Sequence, residues 1–66
     1  MEFTDNVKAL VVIGSKKRLC SDSMQVYNFL SDNGVEHELA ADAQGWAELA
    51  CMDETYNEVD FDIYMQ

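Results

Sequence analysis

The pattern of apolar residues predicts a small α/β domain of βαβαβ order, with a three-stranded sheet whose first strand is central. Three features lead to this prediction: a continuous apolar run, an amphipathic stretch directly after it, and two later segments that alternate apolar and polar residues. The 66 residues make one domain, residues 1–66, near the lower size limit for folding without disulfides or metal. A hydrophobic content of 48% is enough for a real core.

The first strand and the first helix follow from two different periodicities. Residues 9–13 form a short, continuous apolar run, which is typical of a strand buried on both faces. Residues 14–19 are predicted to be a loop. Residues 21–33 carry apolar side chains at three-residue spacing and predict an amphipathic helix. Asn33 and Gly34 then provide a stop, because both residues tolerate left-handed backbone geometry.

The second half of the chain predicts a strand, a helix and a final strand. Residues 35–39 alternate and predict a strand parallel to the first, since one helix joins the two. Asp42 is a candidate cap for the second helix. Residues 59–65 alternate cleanly and predict an edge strand whose solvent side carries Asp60 and Asp62. The apolar side of that strand predicts a monomer that docks on another protein, or a weak homodimer.

The charge distribution is uneven along the chain. Residues 1–18 have a balance of +2 and residues 19–66 a balance of −11, which sum to the net charge of −9. Nucleic-acid binding is not expected, because residues 19–66 contain no Lys or Arg to neutralise a phosphate. The acidic residues either keep the domain soluble or form a surface that binds a basic protein.

The location expected from the sequence is the cytoplasm. No apolar run is long enough to span a bilayer, and no signal peptide is evident, so no membrane association is expected. Cys20 and Cys51 do not make a disulfide-rich secreted scaffold, and Cys51 is predicted to be a core residue. His37 is the single histidine and no cysteine pair has ligand spacing, so no metal site is predicted.

Cys20 is the first candidate for chemistry. All four basic residues lie within residues 8–18, and Cys20 follows at the predicted start of the helix. The positive end of a helix dipole and the charges of Lys16, Lys17 and Arg18 favour a thiolate, which predicts redox chemistry. The alternative is a cysteine packed against the first strand without any chemistry.

Three short motifs follow one another in this region: Val-Val-Ile-Gly-Ser-Lys at 11–16, Cys-Ser-Asp-Ser at 20–23 and Gly-Val-Glu-His-Glu at 34–38. Over residues 8–40 they resemble the first strand, the Cys-x-x-Ser active site and the second strand of glutaredoxins. The resemblance implies a minimal thioredoxin-type fold and a glutathione-dependent activity without a metal. The chain departs from the family in lacking the cis-proline, since it has no Pro, and a counterpart of the C-terminal third.

The resemblance also implies a role for each residue of the motif. Cys20 would be the nucleophile, and Ser23 would replace the second cysteine and leave a monothiol site. Lys16 would favour the thiolate and bind a carboxylate of glutathione. Lys17 and Arg18 are further candidates for binding glutathione or a glutathionylated protein. Monothiol exchange at Cys20 is thus one predicted function. The other is a non-enzymatic acidic module, an inhibitor or nucleic-acid mimic, that occludes a basic protein surface.

Overall fold

The computed structural model describes residues 7–66, which form a four-stranded antiparallel sheet with two helices on one face. The elements in chain order are β1 (Ala9–Ile13), β2 (Lys16–Cys20), α1 (Ser23–Asp32), α2 (His37–Leu49), β3 (Thr55–Asn57) and β4 (Phe61–Met65). The strand order across the sheet is β2-β1-β4-β3, and every neighbouring pair is antiparallel. The prediction of a three-stranded βαβαβ sheet of the thioredoxin type is therefore wrong, although β1 does lie inside the sheet.

β1 and β2 form a hairpin, so the loop predicted at residues 14–19 is wrong for most of its length. Ile13 pairs with Lys16, which leaves a turn of only two residues, Gly14 and Ser15. Gly14 has a φ of +60° and Ser15 does not have a positive φ, the sign pattern of a type II′ hairpin turn. β2 tolerates charged side chains because it is an edge strand, and charges on an edge strand remain in water.

α1 confirms the predicted first helix and its end. It begins after Asp22, whose carboxylate accepts a hydrogen bond of 2.8 Å from the Gln25 backbone N–H and so caps the helix. At its end, the Val35 N–H donates to the Leu30 carbonyl at 3.0 Å. Gly34, with a φ of +88°, occupies the left-handed position of this Schellman motif.

α2 begins at His37, so the strand predicted at residues 35–39 is wrong. Two-residue alternation extends over only five residues there, whereas helical spacing continues to the end of α2. Ala40, Ala43 and Ala47 lie three and four residues apart and are fully buried. Since their side chains are small, α2 packs closely against α1, and the Trp46 ring of α2 contacts Tyr56 of the sheet. Asp42, the predicted cap, lies inside the helix.

β4 is an internal strand, not the predicted edge. It pairs with β1 on one side and with β3 on the other. The predicted alternation is confirmed from Phe61 onward, and Val59 lies outside the strand with 96% of its surface exposed. The helices cover the apolar side of β4, so that side is not the free surface predicted from the pattern.

The core lies between the sheet and the two helices. Its buried hydrophobic residues are Val7, Ala9, Val11, Cys20, Val26, Leu30, Ala40, Ala43, Ala47, Phe61, Ile63 and Met65. Trp46, Tyr56 and Phe61 extend it as an aromatic chain with ring centroids 5.3 Å and 5.8 Å apart. Within residues 7–66, no helix has the length and apolar character needed to cross a membrane.

Candidate functional site

Cys20 lies at the end of β2, not at the start of a helix. It pairs with Ala9 of β1 on the side of the sheet that faces the helices, and its side chain is fully buried. Its Sγ lies 4.0 Å from the Arg18 carbonyl oxygen. Two residues separate Cys20 from the first residue of α1, so the predicted position of the thiol at a helix N-terminus is wrong.

Burial raises the pKa of the Cys20 thiol above its usual value, since a buried site disfavours the charged thiolate. The positive charge of Arg18 lowers the pKa by a smaller amount, and the negative charge of Asp22 raises it further. The environment of Cys20 therefore favours the neutral thiol, which is the weaker nucleophile.

The other residues of the predicted redox site are spread over two elements. Ser23 is the first residue of α1 and is fully buried, and its Oγ donates a 3.0 Å hydrogen bond to Oε1 of Glu48 in α2. Lys16, Lys17 and Arg18 are exposed on β2, where successive side chains point to opposite faces of the sheet. Ser23 thus links the two helices, and the three cations do not surround one thiol.

The two cysteines are expected to react with iodoacetamide at different rates, because Cys20 is buried and Cys51 is exposed. In single-cysteine proteins (C51S and C20S), Cys20 should react about tenfold or more slowly than Cys51 near pH 7. The rates should converge in concentrated urea, which serves as the control. Faster alkylation of Cys20 in the folded protein would contradict this expectation and favour monothiol exchange.

The exposure of Cys51 also shows that its predicted core position is wrong.

A groove of about 510 Å³ opens at one end of the molecule, within the range of small-ligand sites. Its lining residues are Ile13, Gly14, Asn33, Gly34, Val35, Glu36, Leu39 and Asp60. We call it the acid-rimmed groove. Half-buried Ile13, Val35 and Leu39 provide apolar surface, and exposed Glu36 and Asp60 provide the two carboxylates.

The antiparallel topology explains why these residues meet. β1 runs toward this end and turns back at Gly14, α1 returns to it and ends before Gly34, and β4 begins there after Asp60. The three connections β1–β2, α1–α2 and β3–β4 therefore lie at one end of the domain. Sequence reasoning missed the groove because a parallel βαβ unit would place these connections at different ends.

The chemistry of the acid-rimmed groove suits a cationic group with an apolar stem. Glu36 is the N-cap residue of α2, but its side chain makes no capping hydrogen bond. Asp60 is exposed in the turn before β4. A lysine or arginine side chain can lay its methylene groups on Val35 and Leu39 and present its charge to the two carboxylates.

Comparisons with models of protein families, with curated proteins and with solved structures find no match to this chain. Within residues 7–66, no group of three or more His, Cys, Asp or Glu side chains is arranged to hold a metal ion. His37 is exposed and accepts or donates a 2.6 Å hydrogen bond with the Tyr27 hydroxyl. The class of protein is thus defined by its own architecture, a two-layer ββααββ domain with an acid-rimmed groove.

Proposed function

We propose that this protein is a non-enzymatic acidic module that binds a basic protein surface, with the acid-rimmed groove receiving a lysine or arginine side chain of the partner. Occupation of the groove covers the partner's cationic surface, which is the physical effect of an inhibitor or a nucleic-acid mimic. The observation that carries the proposal is a groove whose lining includes two acidic residues, Glu36 and Asp60, and no Lys or Arg.

The distribution of charge supports the proposal. Residues 19–66 hold eleven acidic side chains and no Lys or Arg, and they form both helices, β3, β4 and the α1–α2 connection. A field of one sign accelerates the approach of an oppositely charged protein and disfavours partners of like charge. The four cations lie at residues 8–18, on or beside β1 and β2.

The shape of the groove supports an anchored contact in addition to long-range attraction. An exposed ion pair contributes about 0–1 kcal/mol, and the methylene groups of a Lys or Arg side chain add a hydrophobic contribution where they cover apolar surface. Val35 is held in place by its backbone hydrogen bond to Leu30, and Ile13 by its pairing with Phe61. The apolar walls are therefore preorganised for a side chain.

The proposal is tested by titration with a fluorescent peptide that contains arginine residues separated by glycine. E36Q/D60N is expected to bind this peptide about tenfold more weakly than the natural protein, since both carboxylates of the groove lose their charge. A peptide with citrulline in place of arginine should bind neither protein. Binding should also weaken as salt is added, because exposed charges are screened.

D42N/D53N is the matched control, because it removes two exposed carboxylates outside the groove and changes the net charge equally. Its affinity for the arginine peptide should stay within about twofold of the natural protein. An equal loss in the two double variants would show that net charge, and not the groove, governs binding. Tight binding of the citrulline peptide would also contradict the proposal.

The two cysteines support a cytoplasmic location as part of the proposal. Both are free thiols, and Cys51 is exposed. Exposed free thiols persist in a reducing compartment and are oxidised outside it. Glutathione binding and thiol–disulfide exchange at Cys20 stay predictions of the sequence resemblance, and the cysteine alkylation rates test them.

A further inference from the structure

The side of the sheet that faces away from the helices carries a contiguous apolar patch. Alternation along the strands places Leu10 and Val12 of β1, Leu19 of β2 and Tyr64 of β4 on this side. We call these four residues the outer sheet face. The register aligns Leu19, Leu10 and Tyr64 side by side across three strands. Leu19 is 55% exposed and Tyr64 is 38% exposed.

The outer sheet face differs from a single exposed apolar residue. The open face of an antiparallel sheet is normally polar, and a contiguous apolar patch marks an interaction site. Leu49 and Val59 are more exposed, at 86% and 96%, but they lie outside the strands, at the end of α2 and in the β3–β4 turn.

The charge around the outer sheet face differs from the charge of the whole chain. Among the positions that strand pairing places on this side, Lys8, Lys17 and Asp62 carry charge, a balance of two positive and one negative. The net charge of the chain is −9. This side therefore lacks the excess negative charge that repels a second copy elsewhere on the surface.

We propose that the outer sheet face is the interface of a weak two-fold dimer of this chain. A two-fold axis parallel to the strands places β1 opposite β4 of the second copy, so that Leu10 packs against Tyr64 of the partner subunit. The helices then form the two outermost layers. They lie about 30 Å apart, three layer spacings of about 10 Å, which exceeds the Debye length of about 8 Å at physiological salt.

The size of the patch sets the strength of this dimer. Three strands of five residues and one of three span a plane of roughly 300 Å², with strands about 4.8 Å apart and residues about 3.4 Å long. A stable interface buries roughly 800 Å² on each partner. The dimer therefore forms at high concentration, with a dissociation constant on the order of 0.1 mM.

Sedimentation velocity between about 10 µM and 1 mM tests this interface. The natural protein is expected to shift from monomer to dimer over this range, and L19E should raise the dissociation constant about tenfold or more, because it adds a desolvated negative charge on each side. Added salt should strengthen the dimer, since it screens the repulsion between two chains of net charge −9. Binding of the arginine peptide has the opposite salt dependence. The dimer proposal and the proposed function can therefore be contradicted independently of each other.

L49E is the matched control, because it makes the same change at an exposed leucine outside the patch. It should dimerise like the natural protein. Circular dichroism establishes that each variant is folded, and Y64Q tests the patch from a second strand should L19E not fold. A natural protein that stays monomeric at about 1 mM would overturn the proposal. Equal weakening by L49E and L19E would also overturn it.

Discussion

L30A is expected to lower the free energy of unfolding by about 2–5 kcal/mol. Leu30 is fully buried on α1, where it packs with the core residues between the helices and the sheet. Truncation to Ala removes apolar contacts and leaves a cavity that the surrounding side chains only partly fill. A domain of 66 residues has a total stability of about 3–10 kcal/mol, so this loss is a large part of it.

Urea denaturation followed by the fluorescence of Trp46 measures this effect. L49A is the control, because it makes the same truncation at a side chain that is 86% exposed. The free energy of unfolding of L49A should differ from that of the natural protein by about 0.5 kcal/mol or less. A loss below about 1 kcal/mol for L30A would mean that α1 does not cover the sheet as described.

I63K is expected to unfold the protein. Ile63 is fully buried in β4 and pairs with Val11 on one side and Tyr56 on the other. An ammonium group at this position has no partner and little water, and its burial costs several kcal/mol, as much as the whole domain provides.

V59K is the matched control for I63K, since the sequence pattern assigns both residues to one apolar face. Val59 is 96% exposed in the turn before β4, so its replacement should leave the thermal midpoint nearly unchanged. Heat denaturation monitored by circular dichroism separates the two variants. A folded I63K protein with protected β4 amides, or an unfolded V59K protein, would contradict the internal position of β4.

Local sequence patterns predicted the type of an element correctly where a single strand or helix accounts for the whole pattern. The apolar run at residues 9–13 is β1, and the three-residue spacing after it is α1, which ends at Asn33 and Gly34 as predicted. The alternation of Phe61, Ile63 and Met65 is also confirmed. In each of these cases the periodicity of the side chains, which depends on neighbours within a few residues, matches the periodicity of the backbone.

Other patterns were ambiguous and the prediction was wrong. The dipeptide Gly14-Ser15 is a hairpin signal, but residues 14–19 were predicted to be a loop. The alternation at residues 35–39 favoured a strand, whereas the buried alanines at Ala40, Ala43 and Ala47 are helical in spacing. Alanine is common both on surfaces and in cores, so these alanines do not distinguish a helix from a strand unless their packing partners are known.

The sequence alone establishes the uneven charge along the chain, because charge depends on residue type and not on folding. Tertiary contacts determine the environment of each side chain. Pairing of β2 with β1 buries Cys20 and raises its pKa, and antiparallel order brings Ile13, Val35 and Asp60 to one groove. These residues are far apart in the chain, and their proximity follows from strand pairing, which neighbouring residues do not encode.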